Sequence, residues 1–197
     1  MDVGDVLIRT APMRQYKELG RLTGKPARQI SRSIASTGLV AAYEMGRLDT
    51  RSFVEATCRA MGVPTLPLEA FRGAWNTVVG DVEPMLIEVA AVLARFGRLV
   101  VASNANPMHW AEVSVRLAAS GLTAPALLSF RVGARKPSLS FFRALAALDA
   151  RVPQQALFVD DRGDNVESAM RFGMTGFRHR EVSSTIAFLA NGSGRPW

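Results

Sequence analysis

The sequence predicts an α/β protein: a parallel-sheet core into which one all-helical segment is inserted. Three observations lead there. Short apolar runs alternate with longer helical patterns from about residue 84 onward, which is the signature of βα units. Residues 12 to 80 carry helical patterns and no convincing strand. Polar and acidic clusters follow the apolar runs, where a parallel sheet places its functional strand ends.

The predicted strands are 99–102 (Leu-Val-Val-Ala), 126–130 (Ala-Leu-Leu-Ser-Phe), 156–159 (Ala-Leu-Phe-Val) and a weaker one at 175–177. Between and around them, helices are expected at 84–96, 108–120, 138–148, 166–172 and 184–190. Pro84 suits a first helical turn, and Gly97, Gly121 and Gly173 each follow a helical run where a left-handed C-terminal cap is wanted. In the inserted segment, helices are expected at 27–36, 49–61 and 68–78, the second opened by Asp49 after the turn Gly46-Arg47-Leu48. The division is therefore a core of 1–11 and 81–197 and a helical cap of 12–80. The tail at 192–196 (Gly-Ser-Gly-Arg-Pro) reads as frayed.

A chain of 197 residues supports one substantial core with an insert. Its 24 Lys plus Arg against 17 Asp plus Glu give a net charge of +7, yet only Lys17, Lys25 and Lys136 are lysines. The arginines are scattered and form no basic block, which disfavours nucleic acid and suits small phosphorylated molecules. The lone Cys58 sits in a helical pattern and reads as packing; with no second cysteine, a reducing compartment is the simple expectation. No apolar run approaches the roughly 18 residues of a membrane span, and no signal-like segment opens the chain, so a soluble, cytoplasmic protein is expected. His109 and His179 lack metal-ligand spacing, and Trp75 and Trp110 read as packing residues. Oligomeric state is not legible.

Asp160 and Asp161 end the predicted strand at 156–159 and are followed by Arg162-Gly163-Asp164-Asn165. Carboxylates this close repel one another unless a hard cation shares them, which points to Mg²⁺. Helix capping by Asp161 or Asp164 is the plain alternative. Three further segments fall at predicted strand ends or turns: Asp2-Val3-Gly4-Asp5-Val6-Leu7, Ala102-Ser103-Asn104-Ala105-Asn106 and Gly133-Ala134-Arg135-Lys136-Pro137.

In this order the four segments resemble the four motifs of the haloacid-dehalogenase-like (HAD) hydrolase superfamily, in particular its phosphatase-like branch with a helical cap inserted after the first motif. The stretch from Gly46 to Phe53 is similar to a cap segment common in that branch, and the resemblance spans roughly residues 2 to 190. It implies a Rossmann-like, doubly wound parallel core. It further implies a Mg²⁺-dependent phosphatase of a small phosphorylated metabolite, acting through an aspartyl-phosphate. By resemblance Asp2 is the nucleophile, Ser103 and Asn104 serve the phosphoryl-binding loop, and Lys136 stabilises the transferring charge. Asp2, the Gly4 backbone carbonyl, Asp160 and Asp161 would hold the metal, with Asp5 and Asp164 as secondary candidates. Haloacid dehalogenation by the same nucleophile and a catalytically impaired binding protein are the two alternatives.

The chain departs from that pattern twice. Gly4 stands where the phosphatases usually carry a second Asp, the general acid-base, a group worth about 10²–10⁴ in rate. Only Met1 precedes Asp2, where a central buried strand of about five residues is expected. Losing some four buried apolar side chains would cost roughly 6–12 kcal/mol. The expectation is therefore a start lying upstream, with a shift of Val6-Leu7-Ile8 into the vacant strand as an alternative that would draw Asp2 off the site.

Overall fold

The computed structural model describes residues 1–148 and 155–191. The predicted tail at 192–196 lies outside the described residues. In chain order the elements are β1 (Ile8–Thr10), α1 (Pro12–Thr23), α2 (Ala27–Ala35), α3 (Leu39–Glu44), α4 (Thr50–Met61), α5 (Leu68–Asn76) and β2 (Val79–Val82). Then follow α6 (Pro84–Arg95), β3 (Val101–Ser103), α7 (Pro107–Ala119), β4 (Ala126–Leu128) and α8 (Ser129–Val132). The chain closes with α9 (Leu139–Ala146), β5 (Leu157–Asp160), α10 (Gly163–Arg171), β6 (Thr175–Arg178) and α11 (Val182–Asn191).

Strands β3 and β4 pair in parallel, as do β5 and β6. Met1 and Asp2 join the two pairs. The Met1 amino group donates to the Val100 carbonyl at 2.9 Å, the Ala102 N–H donates to the Met1 carbonyl at 2.9 Å, and the Asp2 N–H donates to the Val159 carbonyl at 2.9 Å. That is the hydrogen-bond pattern of a parallel central position, and it sets the order β4, β3, Met1–Asp2, β5, β6. The alternative that Val6-Leu7-Ile8 takes this position is overturned. The N–H groups of Val6, Leu7 and Ile8 all converge on the Val3 carbonyl in a tight turn, and Ile8 opens β1. Met1, Val3, Val6, Leu7 and Ile8 all lie in the main core.

Period-two alternation sends each strand's side chains to opposite faces of the sheet. Val101 and Val159 join the cluster built with α6, α7 and α11, whereas Ala102 and Phe158 join the one built with α9 and α10. Helices thus cover both faces, as a doubly wound sheet requires. The predicted start at Pro84 is the first residue of α6, and Gly97, Gly121 and Gly173 have the positive φ of left-handed caps.

Helices α1 to α5 surround a core of their own, with Tyr43, Phe53, Phe71 and Trp75 buried at its centre and Met108 entering from α7. Asp49 opens α4 by accepting from the Ser52 N–H at 2.7 Å. The segment is entered and left through β1 and β2, an antiparallel ribbon. The sequence reading missed β1, β2, α1 and α3, and its strand-free stretch of 12–80 is corrected at its end, since β2 begins at Val79. The predicted strand 126–130 also stops at Leu128, where α8 begins. Ser129 turns inward there and its hydroxyl takes the N–H of Ala105 at 3.0 Å, tying α8 to the loop after β3. No helix among the described residues is long and apolar enough to cross a membrane.

Candidate functional site

The C-terminal ends of the central strands bring Asp2, Ser103 and Asp160 together, and Lys136 closes the group from the loop after α8. The Lys136 side chain is fully buried. Its ammonium lies 2.8 Å from Asp2 Oδ1 and donates to Asp160 Oδ2 at 2.6 Å and to the Ala102 carbonyl at 2.7 Å. Three acceptors match three N–H donors, so the buried charge is both paired and hydrogen-bonded. Its backbone is fixed as firmly: Asn104 Oδ1 accepts from the Lys136 N–H at 2.8 Å, and Asn104 Nδ2 donates to the Lys136 carbonyl at 2.9 Å. Asn104 is therefore committed to holding the lysine backbone. Ser103 is buried at the end of β3, beside that loop.

One oxygen from each of Asp2, Asp160 and Asp161 lies within 4.8 Å of the others. The three are not equivalent. Asp160 spends Oδ2 on Lys136, while its Oδ1 accepts from the Arg162 N–H at 3.0 Å and from Asn165 Nδ2 at 2.8 Å. The Asp161 side chain accepts no hydrogen bond beyond its own backbone N–H among the described residues. Burial, opposed by Lys136 and reinforced by Asp160, pushes the Asp2 carboxyl up to about 6. Burial and the charges of Asp160 and Asp5 also raise Asp161. Three carboxylates gather around a single ammonium, which leaves a surplus of negative charge, and the donors are all hard oxygens. Both properties fit a small divalent cation such as Mg²⁺.

Capping does not explain Asp161: the residue before α10 is Arg162, and no side chain caps that helix. Asp164 is not brought into the cluster. It forms a two-pronged pair with Arg162, at 3.1 and 2.7 Å, on a half-exposed surface. An arginine two residues earlier offers it a stronger partner than the acidic site would. Asp5 is also committed elsewhere. At φ +53° its carboxylate takes the Thr10 N–H at 2.8 Å and the Thr10 hydroxyl at 2.7 Å, which closes the turn into β1. Gly4 bridges to Ile8 through its neighbours' groups, which leaves its own carbonyl out of the ribbon's hydrogen bonds. Asn165, which follows the acidic segment in the sequence, has a part that its position alone does not assign. Its side chain orients Asp160, and the signal available was its place one turn after the acidic pair.

His109 is packing, as expected. Its ring stacks on Trp75 with centroids 5.4 Å apart, and it bonds to Asn106 at 2.9 Å and to the Trp75 carbonyl at 3.2 Å. Cys58 is buried in the core of the helical insert. His179 meets the Thr185 hydroxyl at 2.7 Å.

No family model matches the chain. Solved structures do share its fold. A HAD family enzyme from Bacteroides thetaiotaomicron superposes with a TM-score of 0.83 over 94% of this chain and 95% of that one, at 20% identity. The same enzyme in complex with magnesium and inorganic phosphate gives 0.81, with 93% and 96% covered at 20% identity. A HAD-like family hydrolase of Porphyromonas gingivalis gives 0.81 at 22% identity, covering 96% and 95%. An L-2-haloacid dehalogenase from Xanthobacter autotrophicus, with chloropropionic acid covalently bound, gives 0.62 at 17% identity over 99% and 82%. The chain thus has the fold of the HAD enzymes, as the order of its four segments implies.

Proposed function

We propose that the protein is a HAD-superfamily hydrolase that cleaves phosphate monoesters of small metabolites with Mg²⁺ as its cofactor. The observation that carries this is the buried group in which Lys136 ties Asp2 to Asp160 while the Asp161 carboxylate stays available. Asp2 and Asp161 would hold the cation directly, with the Gly4 carbonyl as a further oxygen, and Asp160 would orient Lys136. Bound there, the cation neutralises phosphoryl oxygens and the surplus of carboxylate charge.

The other steps belong to the chain. A carboxylate oxygen of Asp2 attacks phosphorus, the ester P–O bond breaks and its electron pair leaves with the alcohol oxygen, which takes a proton from water because Gly4 offers none. Water then attacks phosphorus, the acyl-phosphate bond breaks, and inorganic phosphate and the Asp2 carboxylate are restored. Lys136 and the Ser103 loop hold the transferring group throughout. The magnesium and phosphate complex of the Bacteroides enzyme supports this reading.

Dehalogenation by the same nucleophile is the second reading, favoured by the likeness to the Xanthobacter dehalogenase. It needs no cation, and the acidic cluster weighs against it. Phosphate release from p-nitrophenyl phosphate with MgCl₂ tests the proposal. Release that stops with EDTA and in Asp2→Asn is expected; chloride release from 2-chloropropionate in EDTA would overturn it.

A further inference from the structure

A single apolar side chain on a protein surface needs no explanation, but a stripe of them along one helix marks a contact surface. α6 carries such a stripe. Leu86, Ile87 and Ala90 bury its inner face, whereas on the outer face Met85 is 56% exposed, Val92 52% and Phe96, at the helix end, 74%. At about 100° of rotation per residue, these three fall within about 40° of one another around the helix axis. Val89, partly buried against the core, lies beside them.

Two charges flank the stripe, and both lie on the same side of it. Glu88 and Arg95 are exposed, stand two helical turns apart, and enter no ion pair among the described residues. Two turns span about 10 Å, too far for the two to meet on their own helix. The same helix turned end for end does match them. A two-fold axis crossing α6 at right angles near Ala91 sets Glu88 beside Arg95 of a second copy, and Arg95 beside that copy's Glu88. It also sets Met85 against the second Phe96 and brings the two Val92 side chains together, because each of these pairs is centred between residues 90 and 92. A parallel arrangement would carry the two copies' charges to opposite sides of the seam, where they do not meet.

We propose that two copies of this chain associate through α6, antiparallel about a two-fold axis, with Met85, Val92 and Phe96 at the centre and two Glu88–Arg95 pairs along one edge. Such a contact requires a surface complementary to itself, and this one is so in both apolar pattern and charge. Burial of the apolar stripe supplies the attraction, and the charge pairs fix orientation and register. The inference stands apart from the phosphatase reading, since it uses no residue of the site.

Sedimentation equilibrium reads the association directly. A contact built on one helix about 18 Å long belongs to the small class of interfaces, so the measurement should run from about 5 to 500 μM. Over that range the wild-type mass should climb from 21.3 kDa toward twice that value. Phe96→Ser, Glu88→Arg and Arg95→Glu should each stay near 21.3 kDa, with circular dichroism showing the fold kept. Mixing Glu88→Arg with Arg95→Glu restores two opposite-charge pairs across the seam, so the mixture should again approach the dimer mass, as should the double variant carrying both reversals. A wild-type protein that remains monomeric throughout would overturn the proposal and leave the stripe to a different partner. So would a dimer that survives in Phe96→Ser, or charge-reversed partners that fail to associate on mixing.

Discussion

Lys136 Nζ is 2.8 Å from one carboxylate and 2.6 Å from another, and its side chain is fully buried. A buried ion group of this kind is retained at a cost in desolvation, so its value lies in positioning more than in stability. Gly4 sets the opposite condition, because a group is missing. Its φ is not in the left-handed region, and a Cβ there would meet only Thr10 Cγ2, at 3.4 Å, which is ordinary contact. The backbone therefore accepts a side chain. Gly4→Asp should raise kcat for an alkyl phosphate by about 10–100-fold, since general acid help is worth about 10²–10⁴ when well placed; a rate no faster than wild type would show that the carboxyl does not reach the leaving oxygen.

His109 gives a second prediction at the same scale. Burial lowers its pKa from 6.5 to about 4 in the folded protein. The unfolded chain then takes up the proton first, so this residue's support is intact above pH 6.5 and is lost as pH falls toward 4. Asp2 works in the other direction, because its raised value makes the metal-free fold better off on protonation. Comparison with a variant separates the two. Urea melts in EDTA should show His109→Gln gaining about 1–2 kcal/mol relative to wild type between pH 7 and pH 5, and a constant difference across that range would refute the assignment.

Among the elements, the loop after β3 matters most, because it shapes the site by what it bonds to. Asn104 spends both ends of its amide on the Lys136 backbone, so the two loops move as one. Asn104→Ala leaves that backbone N–H and carbonyl unpaired, at a cost of about 1–3 kcal/mol. It should lower kcat by about 10² through misplacement of the lysine, with KM for phosphate esters little changed. A variant that lost stability but kept kcat would show that the clamp serves the fold alone. Apart from α1, which spans 12 residues, the elements missed in the sequence were short ones whose pattern is set by neighbours. β2 reads Val-Gly-Asp-Val and is a strand because β1 lies against it, and α8 replaces the last residues of a predicted strand because Ser129 bonds back to Ala105. The other long helices were legible to within a few residues, but α1, despite its proline start at Pro12 and its glycine stop at Gly24, was not.

At the scale of the whole molecule, binding to the native state alone raises stability by mass action. Magnesium chloride at 10 mM should raise Tm by several degrees at pH 7.5. The rise should be less than half as large at pH 5, where protonated Asp2 competes with the cation. A thermal shift that is the same at both pH values, or the same in Asp2→Asn, would argue against the acidic cluster as the binding site.

The sequence by itself determined the α/β class, the helical segment between β1 and β2, and the four polar segments at strand ends. These follow from local periodicity, from turn chemistry and from the requirement that like charges be compensated, all of which are properties of neighbouring residues. Only the tertiary structure decided which carboxylates gather. Asp164 is as near in sequence to Asp161 as Asp5 is to Asp2, yet Arg162 and Thr10 take those two out of the cluster. It also decided that Met1 and Asp2 lie in the central position of the sheet, and that Glu44 comes to face Arg135 from far along the chain. Such contacts join segments far apart in the chain, and their partners are chosen by packing and hydrogen-bond competition that no local pattern records.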